Sequence, residues 1–338
     1  MQAQSKNKVL FVVLSVSLVA MFLLNLSLGS VSIPTEAIID SVFGNEMKTS
    51  WEIILWNFRF PKALTAIFVG MGLSISGLMM QTLFRNPLAG PYVLGLSSGS
   101  SLGVAIIIMG SSLLPSIFIS NYAIVLASSL GSFLVLLAVL VVSQKLRDTM
   151  AILIVGLMFG SFTSAIVSVL SYFSTAQELQ KFMFWSMGSL ANLSWTAIGI
   201  LSFCVILGLV VSFFTIKPLD AMLLGENYAK SLGLNFNRTR ILIIFATSIL
   251  AGSITAFAGP IAFVGLAVPH LAKLLFQTSN HFILFWATVL IGAILLLICD
   301  SIAQLPGSDY TLPINAITSL VGAPVVIWLL VRKRKIMI

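Results

Sequence analysis

The sequence predicts an all-α, polytopic membrane protein of about ten transmembrane helices in a single domain, residues 1–338. Three observations carry this. First, 59% of the residues are hydrophobic and 8% charged, with a mean hydropathy of +1.10. A soluble domain carries roughly 25% charged residues, so this chain has too few to cover a water-facing surface. Second, the apolar residues fall in runs near the roughly 20 needed to cross a hydrocarbon core about 30 Å thick. Third, some runs are broken by Gly and Pro, most densely over Arg85–Gly99. Broken backbone at such depth must be buried in protein or line a polar cavity, because lipid satisfies no free N–H or C=O.

Hydropathy places the spans at 8–28, 61–84, 93–109, 122–143, 150–172, 194–215, 239–257, 261–277, 282–300 and 313–331. The first follows Lys6 and Lys8 as a signal peptide would. It is long for one and lacks an A-x-A site, so it reads as an uncleaved span. The third and eighth are weak, being Gly-rich or Pro-containing. With the N-terminus inside, fourteen of the eighteen Lys and Arg fall on inside loops, and Lys48, Arg59, Lys62 and Lys181 outside. Seven of the ten acids fall outside. By the positive-inside rule both termini are cytoplasmic. The net charge of +8 is therefore a topology signal, with the closing Arg-Lys-Arg-Lys facing anionic lipid, and no nucleic-acid partner is expected.

Three loops have room for more than a turn. Outside, Ile33–Asp40 reads as a short helix with Pro34 in its first turn, and Gln177–Phe182 as another. The inside loop 216–238 is polar and reads as two short helices separated by Gly225 and ended by Gly233. Gly90-Pro91 before Gly95, and Gly259-Pro260 before Gly265, form a faint echo at opposite faces, as an inverted repeat would.

No P-loop, Ser/His/Asp order or HExxH is present, and Cys204, Cys299 and the two His have no metal-ligand spacing. No catalytic residue, metal or cofactor is expected, and any ATP must be hydrolysed by another polypeptide. A gradient-driven carrier would need ionisable groups at mid-span; Asp300 and Glu52 sit at span ends. His270 beside Pro269 reads as packed rather than as a proton relay. Gln81, deep in the second span, is a pathway residue or an interhelical hydrogen bond. Small residues such as Gly156, Gly160 and Ser164 allow close helix contact, or widen a path for a bulky solute. In the inside loop, Leu223, Leu224 and Leu232 stand between charges, more than a tether needs, and suit a docking surface. Arg59 and Lys62 break the positive-inside trend: they snorkel to headgroups, or meet acids of a partner docking from outside.

Several blocks then carry a resemblance. They are Arg59-Phe60-Pro61-Lys62, Gln81 through Ala89, Leu94 through Gly99, Trp185 through Leu190, Leu224 through Gly233, Ala258 through Leu266, Val268-Pro269-His270 and Gly322-Ala323-Pro324. In order and spacing the chain resembles the permease subunits of iron-siderophore, haem and cobalamin ATP-binding-cassette importers. The resemblance implies the type II ABC importer permease fold, a homodimer or close heterodimer, and a path between the two copies. It also implies two cytoplasmic ATPase subunits and an extracytoplasmic substrate-binding protein, in the inner (cytoplasmic) membrane. It implies that Gly225, Glu226, Ala229, Leu232 and Gly233 form the loop that couples to the ATPase, and that Arg59, with Lys62 in the second basic place, meets the binding protein. Gln81, Asn86, Gly156, Gly160 and Ser164 are the candidate path and gate residues. Two departures concern docking: Gln304 stands where the cobalamin permease has a basic residue, and Leu305–Thr311 lacks the usual Glu-Leu-Pro form. The bilayer, two soluble partners and a second copy complete the expected assembly.

Overall fold

The computed structural model describes residues 2–43, 48–110, 121–146, 149–191, 193–231, 233–304 and 310–334. No strand occurs among them. The helices in chain order are α1 (Gln2–Ser27), α2 (Thr35–Phe43), α3 (Thr49–Ile54), α4 (Phe60–Leu83), α5 (Leu96–Met109), α6 (Asn121–Lys145), α7 (Thr149–Phe173) and α8 (Ala176–Ser186). After them come α9 (Trp195–Phe214), α10 (Ile216–Leu223), α11 (Glu226–Ser231), α12 (Phe236–Ala258), α13 (Val264–Phe276), α14 (His281–Ala303) and α15 (Ile314–Arg334). All ten predicted spans are helices. Seven described helices are long and apolar enough to cross a membrane, and Leu96–Met109, Val264–Phe276 and Ile314–Trp328 are shorter. The two weak spans are thus the two shortest, α5 and α13.

The centre is α4, buried along nearly its whole length, with α14, α12, α13 and α9 around it. Close approach depends on glycine. A Cβ on Gly70 would lie 2.2 Å from the Gly292 carbonyl oxygen of α14, and one on Gly77 1.8 Å from that of Gly265 in α13. Backbones this near leave no room for a side chain. Gly77→Val is expected to lower the thermal midpoint of the purified protein sharply by prising α4 from α13, at a cost of about 1–3 kcal/mol. Val at Gly199, where a Cβ meets nothing within 4 Å, is the control that leaves the midpoint in place.

In contrast, α1, α6, α7 and α9 expose large apolar side chains, among them Val12, Val16, Leu130, Leu134, Met158, Phe162 and Phe203. In water this would be an aggregation surface; in a bilayer it is the face that lipid or another membrane helix covers.

Two breaks fold back into the interior from opposite ends. The first follows α4: Arg85 has φ 47, a 3₁₀ turn spans Pro91–Leu94, and Gly95 has φ 74. The second follows α12, where Gly259 has φ 75 and Phe263 φ 65. They meet: the Tyr92 hydroxyl donates to the Ile261 carbonyl and accepts from the Ile261 N–H at 3.1 Å. Gln81 Nε2 donates to the Gly265 and Leu266 carbonyls at 3.3 and 3.2 Å. The Pro87 carbonyl can only accept, so His270 Nε2 carries the proton it donates to it at 2.8 Å. Backbone groups freed by each break are in this way taken up by the other break and its neighbours, as P–G-broken spans require in lipid. His270 is packed, as its place beside Pro269 suggests.

The two segments expected outside contain short helices, α2 and α8. Pro34 immediately precedes α2, whose Ile38 N–H reaches the Pro34 carbonyl at 3.2 Å. Helix α8 opens with a capping box, Thr175 accepting from the Glu178 N–H while the Glu178 carboxylate accepts from the Thr175 N–H at 2.9 Å.

Candidate functional site

The chain offers candidate surfaces at its two ends. One end carries the loop after α9. Here α10 and α11 are separated by Gly225 (φ 109) and closed by Gly233 (φ 85), both in backbone conformations that glycine alone adopts cheaply. Ala229 is fully buried, and its carbonyl accepts from the Leu234 N–H at 3.1 Å. Glu226 begins α11; Leu232 lies outside the described residues. Leu223, Leu224 and Tyr228 are 50%, 62% and 55% exposed. Arg85, just after α4, reaches this loop, its guanidinium donating to the Met222 carbonyl at 3.1 Å.

At the opposite end a cavity of about 350 Å³ is lined by residues that include Arg59, Lys62, Gln304 and Thr311. Its basic residues are placed by a π-helical turn, Leu55–Arg59, in which the Phe60 N–H reaches back to the Leu55 carbonyl. Pro61 has no N–H to continue the α-pattern, and the wider turn absorbs the extra residue. The turn brings Leu55 and Arg59 inward and leaves Trp56 and Phe58 exposed.

Arg59 and Lys62 are not free at a mouth. Arg59 is 8% exposed, and its guanidinium donates to the carbonyls of Leu26 and Ser27, at 2.6 and 3.0 Å, and of Val31. It caps the open C-terminal carbonyls of α1. Lys62 Nζ lies 3.0 Å from Asp300 Oδ1. The other oxygen of Asp300 accepts from Asn25 at 3.0 Å and Gln304 at 2.8 Å, and Asn25 also donates to Ser301 Oγ at 3.0 Å. Asp300 is 1% exposed, so the carboxylate has the charge partner and hydrogen bonds that a buried ion needs. Sequence reading missed this network: its members look like separate span-end polar residues, and Asn25 and Asp300 are 275 positions apart. Gln304, read as a lost docking charge, serves Asp300; of Leu305–Thr311, residues 305–309 lie outside the described residues.

The candidate path residues divide. Gln81 is 4% exposed, and its Nε2 makes an interhelical hydrogen bond to α13 while its buried Oε1 has no hydrogen-bond partner. Asn86 forms a turn, its Oδ1 accepting from the Leu88 N–H at 2.9 Å. Gly156 and Gly160 receive the first break: a Cβ on Gly95 would lie 2.8 Å from the Gly156 oxygen and 3.3 Å from the Gly160 nitrogen. These contacts supply the packing reading of the small residues. Ser164 alone of the set is exposed, on a face of α7 with Ser161 and Ser168. The hydroxyls of Ser161 and Ser168 bond back to Leu157 and Ser164 carbonyls at 3.1 and 3.0 Å.

No group of three or more His, Cys, Asp or Glu that could hold a metal ion occurs among the described residues.

A helical bundle of this kind, with long apolar helices and broken helices meeting in its interior, defines a polytopic membrane protein. The FecCD transport family matches residues 17–332, and the chain belongs to that family. It is 34% identical over 293 residues to the vitamin B12 import system permease protein BtuC of Salmonella typhi, covering 86% of this chain and 88% of that one. To BtuC of Klebsiella pneumoniae it is 35% identical over 294 residues, covering 86% of each. Its fold is similar to a structure described as an inward-facing conformation of a metal-chelate type ABC transporter. There the TM-score is 0.85 at 30% identity, over 96% of this chain and 99% of that one. PsaBC from Streptococcus pneumoniae shares the fold at TM-score 0.50 and 13% identity.

Proposed function

We propose that this permease is driven by separate ATPase subunits docked on the α10–α11 loop, and that it imports a metal chelate of the cobalamin, iron-siderophore or haem class. The observation that carries the reading is the loop itself. The two short helices on either side of Gly225 leave Leu223, Leu224 and Tyr228 at least half exposed. Apolar side chains presented on a rigid polar element are what a protein partner buries. The loop end also carries most of the basic residues, which supports a cytoplasmic loop and cytoplasmic termini in the inner membrane. The likeness to BtuC and to a metal-chelate transporter supports the cargo class.

A second copy of the permease would cover part of the exposed apolar surface. The exposed Ser161, Ser164 and Ser168 give their face of α7 small side chains at helical spacing, which a second copy can approach closely. At the opposite end a binding protein would dock over the cavity. With Arg59 and Lys62 committed to intrachain partners, they shape that surface and hold its loops rather than reaching out as free charges. ATP binding would draw the ATPase subunits together, move the loop and switch access to the path between the two copies.

Glu226→Arg is expected to lower ATP-dependent uptake by at least about tenfold in vesicles that hold the permease, ATPase and binding protein. Normal uptake by that variant would contradict the docking assignment.

A further inference from the structure

We infer that Asp220 and His281 form a clamp that passes displacement of α10 to the α4–α14 pair, and through it to the opposite end of the membrane. The inference rests on the ATPase-docking reading above. Asp220 lies on α10, and its Oδ1 accepts twice from His281: from ring Nδ1 at 2.7 Å and from the backbone N–H at 2.9 Å. His281 is the first residue of α14, so that N–H is one of the donors a helix start leaves open. Asn280 caps the next two, Phe282 and Ile283, with its own side chain. The loop helix thus completes the cap of a membrane helix, where the helix dipole also favours an anion.

The other side of the ring continues the chain of contacts. The carboxylate fixes the proton on Nδ1, and Nε2 lies 2.9 Å from the Thr82 hydroxyl of α4. His281 is 1% exposed and Asp220 is partly open to solvent, so one buried imidazole joins α10, α14 and α4. A second tie lies at the far end of α10, where Arg85, directly beyond α4, donates to the Met222 carbonyl at 3.1 Å. By contrast α11 closes on itself, the Leu234 N–H reaching back to the Ala229 carbonyl at 3.1 Å. Gly225 stands between the two halves with nothing within 4 Å of where its Cβ would be. The two halves can turn about it, and α10 carries the ties to α14 and to Arg85.

The pair that α10 grips is stiff. Gly70 and Gly292 bring α4 and α14 into backbone contact at mid-length, and Lys62–Asp300 joins them at the far end. From Thr82 to Lys62 is about 30 Å along the helix. Motion of α10 would reach the wall of the outer cavity, of which Lys62 is part. Asp220 and His281 are positioning residues in this account: they touch neither ATP nor cargo.

The test uses the full permease with its ATPase in proteoliposomes, with Cys204→Ser and Tyr310→Cys labelled by an environment-sensitive fluorophore. Tyr310 is 80% exposed beside the outer cavity residue Thr311. Addition of ATP and vanadate is expected to shift the emission. Asp220→Ala and His281→Ala should keep ATPase co-purification and basal hydrolysis and reduce the shift at least about fivefold. Asp220→Asn keeps an oxygen that accepts both N–H groups and should restore it, which a charge-only role would not; a merely stabilising role would instead lower the thermal midpoint of the alanine variants in step with the shift. A full shift in both alanine variants, or a loss in Asp220→Asn equal to that in Asp220→Ala, overturns the clamp. If the unsubstituted permease binds no ATPase, the docking reading fails first and takes the clamp with it, an outcome distinct from a failure confined to the variants.

Discussion

Leu223→Glu combined with Leu224→Glu should release the ATPase subunits from an otherwise intact permease. Both side chains project from the end of α10, half exposed or more. Their removal costs the fold little, because the buried side of that helix is Ile216, Leu219 and Met222. A docking partner that buries them would lose the apolar contact and gain two carboxylates to desolvate. At the roughly 2 kcal/mol of an interface hot spot, each change weakens association about 30-fold. Pull-down of the ATPase on tagged permease reads the effect, with the thermal midpoint of the permease as the fold control. Retention of the ATPase at an unchanged midpoint would place the docking surface elsewhere.

Lys62→Ala should be the most destabilising single change at the other end. Asp300 would keep Asn25 and Gln304 as hydrogen-bond donors and lose its cation, in a site 1% exposed. Breaking a buried pair by removing one member costs about 3–5 kcal/mol, chiefly through the charge left behind. Lys62→Met with Asp300→Asn removes both charges and should recover most of the loss. Denaturation midpoints of the three proteins in one detergent check this. If Lys62→Ala equals the parent, the ion pair contributes nothing; if the double variant is as unstable as the single, packing rather than charge is at issue.

What the sequence made legible follows from which signals are local. A span is a run of apolar residues, and all ten runs became helices, including the short α5 and α13 that Gly and Pro had marked as weak. Gly225 and Gly233 were legible because a short helix needs a stop and left-handed backbone needs glycine. The short helix α8 was legible although its box partners Thr175 and Glu178 lay just upstream of and within the segment read as helical. The Gly-Pro echo was visible too, but that Tyr92 of one break would hold Ile261 of the other was not.

Pairings across the chain left no such mark. Arg59 and Lys62 read as outward charges because hydropathy knows their depth and not their direction; the π-turn before Pro61 turns Arg59 inward. Gln81 reads equally as path or packing, and the sequence does not show that α13 lies against its Nε2. Asp220 and His281 were passed over entirely. One available clue was that both fall at the same membrane level by the charge-based topology, an acid in the loop and the histidine at the start of a span. Such a pair at one level invites the question of contact, which only the folded chain answers.

The central claim, an import permease powered by a separate ATPase, is tested most directly by uptake. Proteoliposomes holding the permease and its ATPase, supplied with the binding protein, would be assayed with cobalamin, ferric siderophores and haem as cargo. The account predicts that one class accumulates only with ATP and the binding protein present, and equally with proton and sodium gradients collapsed. Accumulation by the permease alone, driven by either gradient and indifferent to ATP, would contradict it.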